Sequence, residues 1–235
     1  MIRTRTDGDV RVVTLDRPEA RNALRPADLT ALREAFAEPE AEEGPPVTYL
    51  RGAGDAFCAG ADLDAVAALD DPAAFARRGQ RAAAAIEASP SAVVCGIDGP
   101  ARGGGVELAL AADVRVATPR ATLAEPGVSL GLFGAWGGTV RLPRVMGEGD
   151  ALDFALSGRV LDAEAALRTG LVSRVVDDPR SVADEIAAGE SDALAAIKRR
   201  MRDRRESGTQ EAAEATAFAD LHDAHADEIA RRRGE

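Results

Sequence analysis

The sequence predicts an α/β protein in which strands and helices alternate, followed by a helical C-terminal part. Residues 10–16 alternate and are rich in β-branched side chains, which is typical of a strand. Residues 27–38 place Leu29, Leu32 and Phe36 on one face at helical spacing, which predicts an amphipathic helix. Because such strand and helix units recur with short connections, we expect a layered α/β fold.

The later elements continue this pattern. The alanine-rich residues 72–88 predict a helix, and a glycine triplet opens another helix that runs through Ala112. Further strands are predicted at residues 45–54, 91–99 and 114–118.

After about residue 145 the sequence changes to successive helices that end at glycines, and the tail beyond residue 208 is helical and strongly charged. We therefore divide the chain into a core, residues 1–180, and a C-terminal helical region, residues 181–235. We expect the second region to serve in oligomerisation.

Composition narrows the class of protein. The chain has 235 residues and is 46% hydrophobic, enough for one large core. Its formal net charge of −11 disfavours binding to nucleic acid or to anionic membranes. The first residues lack the apolar core of a signal peptide, and no apolar run is long enough to span a membrane. We expect a soluble, cytoplasmic protein with neither of those partners.

The strongest local signal is the triplet Gly103–Gly105 followed by Glu107. Glycines let another molecule approach the backbone closely, and the first amides of a helix lack internal partners. Those amides also carry partial positive charge, which favours an anionic oxygen. Glu107 lies one turn beyond Gly104, so its carboxylate could reach a carbon next to a carbonyl that this amide holds. Alternatively, a first-turn glutamate only stabilises its own helix.

A second segment of small residues, Phe57–Leu63, also follows a predicted strand. Two such loops that converge on one oxygen would form an oxyanion hole, in which loss of one donor costs about 3–4 kcal/mol. The alternative interpretation is an ordinary turn in which Asp62 caps the next helix.

Together the two segments resemble the enoyl-CoA hydratase/isomerase (crotonase) family. The resemblance extends from about residue 10 to 175 and implies a crotonase-like spiral of ββα turns with a helical C-terminal extension. It also implies a homotrimer or a dimer of trimers. The other stretches that carry it are Leu15–Leu24, Ile97–Ala101, Leu130–Gly131 and Gly137–Leu142.

The resemblance implies a role for each part of the site. The amides of Ala59 and Gly104 are expected to hold the thioester oxygen of an acyl-coenzyme A, and Glu107 matches a catalytic glutamate. No metal or redox cofactor is implied, because coenzyme A belongs to the substrate. The coenzyme A contacts are expected at Ala20, Arg21, Ala59, Gly60, Ala61, Asp62, Leu63 and Gly104.

One position departs from the family. Hydratases of this family carry a second glutamate directly after a proline, whereas here Gly127 follows Pro126 and Glu125 precedes it. Hydration needs one group to activate water and another to share the proton, so loss of one carboxylate should slow it by a factor on the order of 100–10,000. The missing side chain could leave space for a bulkier acyl group, lined by Phe133 and Trp136, although large aromatic residues more often pack in cores or interfaces.

Three interpretations remain open. Glu107 works alone, in an enoyl-CoA hydratase or double-bond isomerase that uses a single glutamate. Glu125 substitutes, although a displacement of two residues moves the carboxylate by several ångströms and argues against this. The chain binds acyl-CoA with little or no catalysis. A decarboxylase or thioester hydrolase on the same scaffold is a further alternative.

Metal binding is a weaker hypothesis. His222 and His225 lie three residues apart on a predicted helix among aspartates, and both residue types can ligate zinc. A solvated helix face explains the same pattern, so we expect no metal site.

Overall fold

A computed structural model describes residues 1–37 and 44–233, and it contains two sheets surrounded by helices. The strands are β1 (Ile2–Asp7), β2 (Val10–Leu15), β3 (Val47–Gly52), β4 (Ala92–Ile97), β5 (Pro100–Arg102), β6 (Val114–Ala117), β7 (Thr122–Ala124), β8 (Leu161–Asp162) and β9 (Arg174–Val175). The helices are α1 (Pro26–Ala37), α2 (Leu63–Ala67), α3 (Pro72–Ala88), α4 (Gly104–Ala111), α5 (Gly138–Met146), α6 (Glu148–Ser157), α7 (Ala163–Arg168), α8 (Arg180–Ala187), α9 (Ser191–Met201) and α10 (Ser207–Arg232). Two 3-10 helices cover Pro18–Ala20 and Pro126–Leu130.

The larger sheet has six strands in the order β1-β2-β3-β4-β6-β9, and only the β1–β2 pair is antiparallel. Its central strands are buried on both faces, so they are apolar almost throughout instead of alternating. One face packs against the main core, which includes α1, α3 and α4. The other face is covered by α8 through Val182 and Ala183.

The smaller sheet positions the site. Strand β5 pairs in parallel with β7, and β8 is antiparallel to β7. Arg102 and Ala124, the last residues of β5 and β7, lie opposite each other. The glycine triplet follows the first of these strands and Glu125 follows the second, so both begin at the same edge of the sheet.

The α/β prediction is confirmed, and so is the helix at residues 72–88. The helix predicted at residues 27–38 is α1, and its last predicted residue, 38, lies outside the described residues. The sequence reasoning missed β1 because this edge strand is largely exposed and has no apolar face. It also missed β5 and β7, whose three residues each are too few to show periodicity.

The C-terminal helices differ in how they pack. Helices α8 and α9 contribute buried residues, whereas none of the residues of α10 is buried in the single chain. Among the described helices, none combines the length and the apolar character that a membrane span requires.

Asn22 joins the N-terminal loop to the segment that leads into Phe57. Arg21 and Asn22 both have left-handed backbone angles, with φ of 50° and 59°. The buried Asn22 amide donates to the carbonyls of Ala53 and Ala56 at 2.9 Å and to that of Phe57 at 3.1 Å. The side chain therefore fixes the start of the second small-residue segment.

Replacing Asn22 by Ala should lower the free energy of unfolding by about 3 kcal/mol, because three carbonyls lose a shared buried donor. Urea denaturation measures this, with the exposed neighbour Glu19→Ala as the control. A loss below about 1 kcal/mol would show that the contact is not structural.

Candidate active site

Glu107 lies in the first turn of α4, and backbone groups from a distant loop hold its carboxylate. Its Oε1 atom accepts hydrogen bonds from the N–H groups of Trp136 and Gly138, both at 2.7 Å. Gly138 is the first residue of α5, so this carboxylate also meets the positive end of that helix. Because Oε1 accepts both of these hydrogen bonds, Oε2 is the oxygen that can exchange a proton.

Two glycines make room for the Glu107 carboxylate. A Cβ atom at Gly134 would lie 2.8 Å from Glu107 Cδ, and one at Gly138 would lie 2.9 Å from Glu107 Oε1. Any side chain at either position would displace the carboxylate. Sequence reasoning did not single out these two glycines, although Gly138 lies in a stretch that carried the family resemblance.

The loop between these glycines is itself held in place. The Gln80 side chain on α3 donates to the Ala135 carbonyl at 2.9 Å. The Arg141 guanidinium donates to the Trp136 carbonyl at 3.3 Å and also pairs with Glu87 at 2.6 Å. The loop that carries the Trp136 N–H and leads into Gly138 is therefore anchored from two helices.

Burial raises the pKa of Glu107 to about 7. The residue is only 2% exposed, and loss of water penalises the ionised form. The N–H groups of Gly138 and Trp136, and then the charge of Arg141, lower the pKa without cancelling the effect of burial. At neutral pH the carboxyl group can therefore both accept and release a proton.

The backbone N–H of Gly104 donates a hydrogen bond to no described residue. Gly104 is the first residue of α4, where helix amides lack internal partners. The second predicted donor is wrong: the Ala59 N–H donates to the Arg21 carbonyl at 2.8 Å and is not free.

Ala61 offers the free amide instead. Leu24 pairs with Ala61 in a parallel bridge, donating to the Gly60 carbonyl at 2.8 Å and accepting from the Asp62 N–H at 3.0 Å. This pairing directs the Ala61 N–H away from Leu24, and among residues 1–37 and 44–233 no acceptor receives it.

In a regular strand the N–H groups of Ala59 and Ala61, two residues apart, would point to the same side. Here they do not, and Gly60 between them is the reason. Its φ of +89° lies in the left-handed region. A Cβ atom there would also lie 3.1 Å from the Gly104 amide nitrogen, so the two loops touch at this point. Only glycine satisfies both the backbone angle and the close approach.

A cavity of about 290 Å³ joins these groups. Its lining includes Ala61, Gly104, Glu107 and Glu125, and it is otherwise mainly apolar. Such a cavity, with a few converging polar groups, is typical of a small-molecule site.

The predicted acyl-pocket residues all border this cavity, but in different ways. Trp136 is only 3% exposed and packs edge-on against Phe75, with ring centroids 5.7 Å apart. Its indole fills the space beside Gly104, where a Cβ atom would collide with the ring. Phe133 is 71% exposed at the mouth. Trp136 is thus both a core residue and part of the cavity wall.

Gly127 does not open extra space where its side chain would begin. A Cβ atom there would lie 3.1 Å from the Leu132 carbonyl oxygen and 3.3 Å from Phe133 Cα. The Leu132 N–H closes this turn by donating to the Gly127 carbonyl at 2.9 Å. Gly127 nevertheless lines the cavity, so the expectation of space for a bulkier acyl group stays a prediction.

The remaining predicted contact residues lie around the cavity. Ala59, Gly60 and Leu63 line it. Asp62 caps α2 by accepting from the Ala65 N–H at 3.1 Å, and it also pairs with Arg17 at 2.6 Å. Its carboxylate thus has a structural role.

Ala20 and Arg21 are not among the residues that line the cavity. They lie on the N-terminal loop, where the Arg21 carbonyl holds the Ala59 amide. Their contact with the far end of coenzyme A stays a prediction.

Among the described residues, no group of three or more His, Cys, Asp and Glu side chains could hold a metal ion. His225 instead contacts Asp192 on α9 at 2.9 Å.

Comparison with known proteins agrees with this fold. The family profile for enoyl-CoA hydratase/isomerase matches residues 5–234. Bacillus subtilis YngF, named as an enoyl-CoA hydratase/isomerase, is 41% identical over 182 residues, which cover 75% of this chain and 70% of YngF.

Two solved enoyl-CoA hydratases share the fold. The enzyme from Polaromonas sp. JS666 matches with a TM-score of 0.91 at 29% identity, covering 99% of this chain and 96% of that one. The enzyme from Thermoplasma volcanium GSS1 matches with a TM-score of 0.89 at 32% identity, covering 96% of each chain. The fold is therefore the crotonase fold, that of a class of acyl-CoA enzymes. This chain belongs to the enoyl-CoA hydratase/isomerase family of the crotonase superfamily.

Replacing Gly138 by Ala should slow the reaction of this site about 100-fold, because the new methyl group displaces the Glu107 carboxylate. The matched control is Gly149→Ala on α6, where a Cβ atom meets nothing within 4 Å. Steady-state rates with enoyl-CoA substrates compare the two variants. Equal rates would show that the position of Glu107 does not depend on Gly138.

Proposed function

We propose that this chain is an enoyl-CoA hydratase or double-bond isomerase that stabilises a thioester enolate. The thioester oxygen lies between the amides of Ala61 and Gly104, and Glu107 moves a proton at the acyl chain. Such donors strengthen their hydrogen bonds as negative charge develops on the oxygen, which lowers the barrier. The proposal requires no resident cofactor, because coenzyme A is part of the substrate.

One observation carries this proposal: a carboxyl group of raised pKa borders the same cavity as two amides that donate to no described residue. Proton transfer next to a carbonyl needs a base near neutral pKa and a place for the enolate oxygen. The contact between Gly60 and Gly104 brings the two amide-bearing loops together.

Acyl-CoA binding without catalysis is the second candidate, and Gly127 is the observation that favours it. Assays of water addition to a 2-enoyl-CoA and of double-bond migration in a 3-enoyl-CoA distinguish the two. Tight acyl-CoA binding with no turnover of any thioester would support the second candidate and contradict the first.

Replacing Glu107 by Gln should lower kcat by a factor on the order of 100–10,000, because the amide cannot exchange the proton. The Gln Oε1 atom can still accept from Trp136 and Gly138, so acyl-CoA binding measured by calorimetry should persist. An unchanged kcat would remove Glu107 from the mechanism.

The pH dependence of kcat/KM provides a second test. Since burial raises the pKa of Glu107 to about 7, the carboxylate form is lost as pH falls through that value. The rate should therefore decline about tenfold per pH unit on the acid side, since a base must be ionised to act. A rate that stays constant down to pH 5 would contradict the assignment of Glu107 as the base.

We further propose that the chain forms homotrimers, alone or paired, through its C-terminal region. No residue of helix α10 is buried within the chain, and its large apolar side chains Phe218 and Ile229 are exposed. Helix α6, which lies outside that region, adds the exposed Leu152 and Leu156. Large apolar side chains that stay exposed on a long helix are typical of an interface between subunits.

Light scattering after size-exclusion chromatography should give three or six times the mass of one chain. Phe218→Asp should shift the population towards smaller species, because it places a charge in an apolar contact. The control is Thr216→Ser on the same helix. A wild-type protein that runs as a monomer would overturn the oligomer proposal.

A further inference from the structure

Glu125 is a second carboxyl group at the same cavity, and the mechanism above leaves it without a role. The residue is 5% exposed, and neither carboxyl oxygen has a hydrogen-bond partner among the described residues. Burying a polar group without a partner lowers stability. Packing alone therefore does not explain a glutamate at this position.

The two strands of the smaller sheet bring Glu125 towards Glu107. Glu125 directly follows β7, and the Gly103 N–H donates to the Ala124 carbonyl at 2.9 Å. Since Gly103 precedes α4, the backbone of Glu125 is tied to the start of the helix that carries Glu107.

Glu125 borders both the main cavity and an adjoining space of about 30 Å³. Gly134 and Gly138 also border that space. These are the glycines at which a Cβ atom would lie 2.8 or 2.9 Å from atoms of the Glu107 carboxyl group. Glu125 and the Glu107 carboxyl group therefore both lie next to the same pair of glycines.

Few charges surround this pair. Among the described residues that line either space, the ionisable ones are Glu107 on α4 and Glu125 itself; α5, α6 and the 3-10 helix at Pro126–Leu130 contribute none. Arg141 on α5 acts on Glu107. Burial first, and then the charge of Glu107, raise the pKa of Glu125 to about 8. The environment thus favours a proton on Glu125 while Glu107 ionises.

We propose that Glu125 is the second acid–base group of this site and allows the chain to hydrate a 2-enoyl-CoA although residue 127 is glycine. This inference rests on the proposed function, because it needs the thioester bound between Ala61 and Gly104. Under this proposal the acid–base chemistry is carried out by two glutamates, Glu107 and Glu125, instead of by Glu107 alone.

The proton balance of the reaction closes with this pair. The Glu107 carboxylate takes a proton from water as the water oxygen bonds to C3, and the C2=C3 electron pair moves onto the thioester oxygen. Glu125 then gives its proton to C2 and the thioester carbonyl re-forms. Transfer of the proton from Glu107 to the Glu125 carboxylate, through a water molecule, restores the starting state.

Glu125→Gln and Glu125→Leu test the proposal against a structural role. Both variants should lower kcat for hydration of a short 2-enoyl-CoA by about 100-fold or more, with KM within a few-fold of wild type. Glu125→Leu should also raise Tm, because an apolar side chain replaces an unpartnered carboxyl group. A more stable and inactive variant is the result that a merely structural role would not give. The exposed Glu164→Gln is the matched control and should match wild type.

The pH profile of the wild-type protein gives a test that needs no variant. Glu125 must be protonated to act, so kcat/KM should decline on the alkaline side, and Glu125→Gln should remove that decline from its residual activity. Glu107 and Glu125 titrate as a coupled pair. The acid and alkaline declines of the pH profile therefore give apparent pKa values of the pair and not of either residue alone.

The outcomes separate the two proposals. Suppose that the wild-type protein hydrates a 2-enoyl-CoA. Unchanged rates in both Glu125 variants, or a pH profile without an alkaline decline, would then overturn the role of Glu125 and leave the proposed function intact. Wild-type protein that binds 2-butenoyl-CoA but turns over no thioester overturns both proposals.

Discussion

The Glu107 carboxylate accepts two backbone hydrogen bonds, from Trp136 in the loop before α5 and from Gly138 at the start of α5, and the rest of the site is arranged around this contact. Without those donors an ionised carboxylate in an apolar cavity would be strongly disfavoured. Burial still has the larger effect, so the pKa of Glu107 rises instead of falling. The same contact therefore fixes the position of the group and leaves it able to exchange a proton near neutral pH.

Glycines make this arrangement possible because three backbone segments must approach each other closely. Gly60 lets the second loop touch the amide of Gly104, and Gly104 leaves room for the indole of Trp136. Trp136 also packs against Gly79 of α3 and donates its backbone N–H to Glu107. The cavity wall and the position of the carboxylate thus depend on the same tryptophan. A bulkier residue at any of these glycines would move more than one part of the site.

The sequence predicts the parts of this molecule whose signal is local. Glu107 and Gly104 lie within one helical turn, and α3 has a clear start at Pro72 and a clear apolar face. The second amide was misassigned, because the left-handed backbone of Gly60 reverses the direction of the next N–H group. That angle is a property of the folded loop and cannot be read from residue spacing.

Contacts between distant segments were not predictable for a related reason. Gly134 and Gly138 approach Glu107 from about thirty residues further along the chain, and nothing in their own neighbourhood reveals it. Glu125 looked displaced from the expected glutamate position when judged along the chain. In the fold, its strand ends beside the start of α4, which brings the carboxyl group to the same cavity.

Direct titration of Glu107 tests the central claim, that a carboxyl group of raised pKa is held beside two free amides. Carbon-13 NMR of protein labelled at glutamate Cδ follows each carboxyl group with pH, and Glu107→Gln assigns the resonance. The account predicts a midpoint near pH 7. A midpoint close to the ordinary glutamate value of about 4.3 would contradict it, because burial would then not outweigh the two backbone hydrogen bonds.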